Sequence, residues 1–213
     1  MRMKGLFAAT EWITRFAYIN LLWIAFTLLG LGVFGLFPAT VAMFAIIRKW
    51  LRGDIDLPVF KTFWQLYKKD FWKANLIGII FAIIAYLFWI NLQFMQLNDS
   101  DFAQAAKIPL YLGMLLVSLT LLYVIPAYVH YDEKMKDIWK NAFLVMLINP
   151  FHNILMIFGM ISSMYVMLKL SGLFFFFGAS FHAFIIMGTC YHAFMKIAKK
   201  QEAMKNLEEE NNK

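Results

Sequence analysis

From position 16 to position 197 the chain reads as long apolar blocks parted by short, mostly basic intervals. Four blocks, 74–96, 108–129, 153–170 and 173–197, reach the length of about 20 apolar residues that a helix needs to cross a bilayer. The last two are separated by Ser171-Gly172 alone, which predicts a tight helical hairpin. The first block, 16–47, carries no charge; it is too long for one span and short for two. Gly30, Gly32, Gly35 and Pro38 stand in its middle, where a turn needs them. The pattern therefore predicts two short helices at about 16–32 and 38–51, with Arg48, Lys49 and Arg52 reaching out to the interface.

The basic residues test this division. Cytoplasmic loops carry an excess of Lys and Arg. Six spans put both termini and the loops 48–73 and 130–149 on one side, so that of the 20 Lys and Arg residues just Lys107 and Lys169 fall on the other. The opposite loop around 98–101 is short and acidic. Reading 16–47 as a single span would instead place the basic N-terminus outside. The expected fold is an all-α, polytopic membrane helix bundle of about six spans, with both termini cytoplasmic. Residues 1–198 form one membrane domain, and 199–213 a charged cytoplasmic tail.

The cytoplasmic intervals have a pattern of their own. In 59–73, VFKTFWQLYKKDFWK, the aromatic residues Phe60, Phe63, Trp64, Tyr67, Phe71 and Trp72 recur at roughly helical spacing among lysines that include Lys68 and Lys69. Such a helix lies in the interface, aromatics toward lipid and lysines toward anionic headgroups, or docks a cytoplasmic partner. Segments 135–148 and 1–15, the latter with Trp12, are further amphipathic candidates.

Composition excludes a soluble globule. The chain is 62% hydrophobic, 18% aromatic and 15% charged, with a mean hydropathy of +0.64, where soluble domains run at roughly 45–50% apolar and 25% charged. The net charge of +7 could suggest nucleic acid, but the basic residues border apolar blocks, so no nucleic-acid partner is expected. A single cysteine, Cys190, permits neither an internal disulfide nor a thiolate metal cage. No Ala-x-Ala-like cleavage site follows the first block, so no removed signal peptide is expected.

Charged side chains inside a bilayer are costly and mark function, and this chain places none in mid-membrane. His182 is the ionisable group set deep in a span, near Ser180. It is either a neutral imidazole bonded across helices or a site for a proton or ligand. His130, His152 and His192 lie near helix ends without the spacing of a metal motif. Asn91, Gln93, Ser118, Thr120, Ser162, Ser163 and Thr189 are polar groups of the kind that tie neighbouring helices. Pro126 is expected to kink its helix. Small-residue turns or close-packing points are expected at Gly35, Pro38, Ala39 and Thr40, and at Gly178, Ala179 and Ser180, each before an aromatic-rich helix ending in basic residues. A fainter echo links FWKANLIGII (71–80) with PFHNILMIFG (150–159). No nucleophile elbow, zinc-protease helix, P-loop or C-x-x-C is present, so the reading is non-enzymatic, without cofactor or metal.

The glycine-rich first block running into G-x-x-P-A-T (35–40), then IRKWLRGD (47–54), FKTFWQLYKKDFWKANLIG (60–78) and the G-A-S step (178–180) resemble the YesL-like family of small bacterial membrane proteins, a group of unknown function. The resemblance covers essentially the whole chain. Many members carry Gly-Pro before the last helix, where this sequence has Gly178-Ala179. Membership implies a multi-pass protein of the bacterial cell membrane. Genes of such proteins typically stand beside ABC-type importers and enzymes for plant or host oligosaccharides in Gram-positive bacteria. It thus implies an accessory, assembly or regulatory role with the permease subunits of an ABC-type carbohydrate importer, and it carries over no catalytic residue. The alternative is a small stand-alone transporter or channel for a neutral solute, which requires a polar line through Asn91, Gln93, Thr120 and His182. A third possibility is a structural or sensory scaffold unrelated to sugars.

Overall fold

A computed structural model describes the backbone of residues 2–97, 101–131 and 133–211, and the side chains of 10–97, 104–131, 133–170 and 172–210. The acidic loop expected at 98–101 falls largely outside the described residues, as do the side chains of 1–9 and the last residues of the tail. The chain folds as α1 (Arg2–Leu29), α2 (Val33–Leu51), α3 (Val59–Lys69), α4 (Phe71–Leu97), α5 (Asp101–His130), α6 (Met135–Ile148), α7 (Pro150–Lys169) and α8 (Ser171–Asn211). Among the described residues there is no strand. Six helices are long and apolar enough to cross a membrane: Thr10–Leu29, Val33–Leu51, Phe71–Leu97, Gln104–His130, Pro150–Lys169 and Gly172–Glu210. An even number of spans returns the chain to the side on which it began, the cytoplasmic one by the positive-inside rule, although the α1–α2 turn, expected on the side opposite segment 48–73, lies beside the start of α4, where Asn75 meets the Phe34 carbonyl. Ile83, Tyr86, Trp89 and Phe94 on α4 and Phe158, Ile161 and Tyr165 on α7 point outward, as lipid-facing positions do.

The break between the first two helices lies at 30–32, earlier than the pattern predicts. Gly32 takes φ 77° and Leu31 φ 58°, so both occupy the left-handed region that glycine tolerates best. The turn closes through Gly30 N–H to the Phe26 carbonyl at 3.2 Å and Gly32 N–H to the Thr27 carbonyl at 2.9 Å. Gly35, Pro38, Ala39 and Thr40 are therefore not a turn; they lie within α2. Gly35 lets α2 close on α1, because a Cβ there would run into the Phe26 and Thr27 carbonyls. Pro38 sits in the helix interior, where it has no N–H for the Phe34 carbonyl four residues back. Asn75 of α4 supplies the missing donor, its Nδ2 lying 3.0 Å from that oxygen. A neighbouring helix thus makes the proline tolerable. Gly178, Ala179 and Ser180 likewise form no turn; α8 runs through them without interruption.

The bundle is built around α2, which packs against α1, α3, α4, α5 and α8. Ala39, Val41, Ala42, Met43, Ile46, Ile47 and Trp50 are all buried along it. It spans from the start of α4, where Phe37 rests on Gly78, to the end of α5, where Arg48 meets His130. A second cluster joins α5, α6, α7 and α8 through Tyr123, Ile138, Met146, Met156, Cys190 and Phe194. Near it Tyr123 donates to Asn153 Oδ1 at 2.7 Å and Asn153 donates to the Met146 carbonyl at 2.9 Å, fixing the α6–α7 corner. Cys190 is fully buried and serves as packing.

Segment 59–73 does not turn all its aromatics to lipid. Phe63 and Tyr67 are buried in protein, with the Phe26 ring of α1 set 4.9 Å from Phe63 and 5.1 Å from Tyr67 between centroids. The Tyr67 hydroxyl donates to the Phe26 carbonyl at 3.2 Å. The physical reason is that the α1–α2 hairpin offers an aromatic seat, and ring pairs gain beyond their buried area.

Candidate functional site

The densest polar arrangement inside the bundle joins α1, α7 and α8. Asn20, 2% exposed, donates from Nδ2 to the Phe175 carbonyl at 2.8 Å. Its Oδ1 accepts the backbone N–H groups of Ala179 and Ser180, each at 3.0 Å. Phe175 C=O and Ala179 N–H are the pair that a regular α-helix joins to each other; here one amide side chain from another helix engages both. Small residues at 178–180 leave room for that approach. One turn on, His182 Nδ1 lies 2.6 Å from the Gly178 carbonyl. A carbonyl can only accept, which assigns the proton to Nδ1 and leaves Nε2 as acceptor in the neutral ring. Nε2 stands 3.2 Å from the Ser163 hydroxyl of α7, whose single proton serves either that nitrogen or the Met160 carbonyl at 2.9 Å. A cavity of about 540 Å³ adjoins this cluster, with Asn20, Trp23, Met164, Phe174 and His182 on its walls. Asn20 was not singled out in the sequence, where one asparagine in an apolar block looks like any other.

The other polar candidates are dispersed. Asn91 donates to the Leu87 carbonyl at 2.7 Å and Thr120 to the Leu116 carbonyl at 2.8 Å, each on its own helix. Gln93 is exposed on α4. No hydrogen bond among the described residues joins Asn91, Gln93, Thr120 and His182 into a line. Among the described residues no three His, Cys, Asp or Glu side chains gather as metal ligands.

Ionisable contacts collect at the end of α5. Arg48 Nε donates to His130 Nδ1 and its Nη2 to the His130 carbonyl, both at 3.2 Å, so an arginine of α2 caps the C-terminus of α5. Tyr128 donates to Asp70 Oδ1, between α3 and α4, at 2.9 Å. Arg15 of α1 reaches the Ile55 carbonyl at 2.6 Å and so holds the α2–α3 loop. Arg15 belongs to no motif, and Asp70 falls within the stretch 60–78 without being singled out there.

Of the docking candidates, Phe63 and Tyr67 face protein, and burial pushes the Tyr67 phenol above its ordinary pKa. Phe71 is half-buried. Phe60, Trp64, Lys68, Lys69 and Trp72 are exposed, with the Lys68 ammonium 4.8 Å from the Trp64 ring centroid.

Six apolar membrane-length helices whose inner polar groups tie helix to helix define a polytopic membrane protein. Residues 16–92 match the family described as "Protein of unknown function, DUF624". The chain belongs to this family, as its relatives in Bacillus subtilis (strain 168) establish. It is 38% identical over 187 residues to the uncharacterized protein YteU, covering 88% of this chain and 84% of that one. To the uncharacterized protein YesL it is 31% identical over 203 residues, 95% of each chain. To the uncharacterized protein YesV it is 34% identical over 192 residues, 90% of this chain and 92% of the relative. No solved structure matches it.

Proposed function

We propose that this protein is a non-catalytic component of the bacterial plasma membrane that assists an ABC-type carbohydrate importer as an accessory, assembly or regulatory subunit. The gene neighbourhoods implied by the YesL-like resemblance supply the importer. The observation that carries the non-conducting half of the reading is the dispersal of Asn91, Gln93, Thr120 and His182. Each is satisfied on its own helix, bonded to a neighbour or turned outward, where a neutral-solute channel needs them in one line. Partner contacts then fall to lipid-facing helix surfaces and to the exposed part of segment 59–73, with Phe60, Trp64, Lys68 and Lys69 at its outer face.

The test is affinity purification of the tagged protein from its native membrane in mild detergent, with co-purifying chains identified by mass spectrometry. Stoichiometric recovery of an importer's permease subunits is the expected result. Recovery of a clean homo-oligomer alone overturns the accessory reading, and flux of a neutral solute in liposomes would then support the channel.

A further inference from the structure

An apolar groove of about 660 Å³ opens between the α1–α2 turn and the first two turns of α4, walled by Leu31, Phe34, Phe71, Trp72, Leu76 and Ile79. Its rim is unusually apolar. Leu31 is 85% exposed and Trp72 83% exposed, and Leu31 is held there in the left-handed backbone region. The polar group in the wall, Asn75, spends its Nδ2 on the Phe34 and Phe71 carbonyls at 3.0 and 2.9 Å. Beside this rim the chain is basic. Lys69 and Lys73 bracket Phe71 and Trp72, and both are exposed. Lys68 is occupied over Trp64, but no carboxylate lies within ion-pair distance of Lys69 or Lys73 among the described residues. Asp70, which stands between them, is engaged by the Tyr128 hydroxyl of α5.

We propose that this groove holds an acyl chain of an anionic phospholipid whose headgroup phosphate is paired by Lys69 and Lys73. A zwitterionic lipid would fill the apolar wall equally well, so the two lysines decide the selectivity. Basic pockets between membrane helices recognise anionic headgroups in this way, and an exposed indole at the rim suits the headgroup level. The site is independent of any importer.

Fluorescence quenching reads it directly. The full chain is placed in nanodiscs of phosphatidylcholine doped with brominated phosphatidylglycerol or brominated phosphatidylcholine, and the Trp72 signal is the difference from Trp72→Phe. Each lysine contributes about fivefold toward an anionic lipid, so Trp72 should be quenched at a several-fold lower fraction of the glycerol lipid. Lys69→Gln with Lys73→Gln, both exposed and tolerable to the fold, should erase that preference while quenching by the neutral brominated lipid persists. Equal quenching by the two lipids in the unsubstituted protein overturns the proposal, as does a preference that survives the double substitution. Relief of the preference by excess sodium phosphate would reassign the lysines to a soluble anion and overturn it too.

Discussion

Replacing Asn20 by alanine removes one side chain and three hydrogen bonds at once, at 2.8, 3.0 and 3.0 Å, from a position that is 2% exposed. Bonds between helices inside a membrane average about 0.6 kcal/mol each, so three of them amount to roughly 2 kcal/mol. Two effects adjust that figure in opposite directions. The Phe175 carbonyl and the Ala179 and Ser180 N–H groups lie within the continuous helix α8, so their helical partners soften the loss. The vacated space acts the other way, because truncating a buried side chain leaves a cavity. The expected loss for Asn20→Ala is therefore about 2 kcal/mol, measured as reversible unfolding in mixed micelles. Amide exchange should accelerate at Ala179 and Ser180. An Asn20→Ala protein within about 0.5 kcal/mol of the parent, with unchanged exchange at 179–180, would refute the role assigned to this amide.

Gly30→Ala should destabilise by about 3 kcal/mol, because its Cβ would meet the Gly35 backbone and the Tyr67 hydroxyl, whereas Gly32→Ala meets no atom and loses about 1–2 kcal/mol to left-handed backbone; Trp fluorescence on heating separates the two. Tyr123→Phe strips the buried bond to Asn153 and should lower unfolding free energy by about 1–3 kcal/mol; an unchanged value would show that Asn153 re-pairs. Burial raises the Tyr67 phenol above its model-compound value of 10.0, so its contribution is intact below pH 10 and declines above it. Tyr67→Phe should remove that part of the alkaline fall in stability and itself lose about 1 kcal/mol at pH 7 with the bond to Phe26.

What the sequence disclosed follows from what bilayers demand. Length and apolarity mark long helices, and 74–96, 108–129 and 173–197 fall inside α4, α5 and α8, while 153–170 runs one residue past α7. The break near 30 was misplaced because Pro38 reads as a helix breaker, and its tolerance depends on Asn75, a residue 37 positions away whose hydrogen bond has no local signature. The G-A-S step was open to two readings, a turn or a close-packing point; α8 runs through it, and its small side chains admit Asn20, 159 positions from Ala179. In segment 59–73 the periodicity marked an amphipathic helix, yet periodicity alone does not distinguish a lipid surface from the Phe26 ring as the apolar neighbour. Polar ties between distant helices are pairwise facts, invisible until both partners are in place.

That separation of 159 residues also has a temporal side. At about 5–20 residues per second, roughly 8–30 s pass between emergence of α1 from the ribosome and arrival of its partner on α8. Throughout that interval Asn20 sits in an inserted helix with no α8 backbone to engage, and the flank of α2 destined for α8 faces lipid or whatever else is near. The nascent chain is therefore an open clasp until its last helix is made. Any membrane insertase or companion protein able to shelter an unpaired amide would find its opportunity during synthesis, not after it.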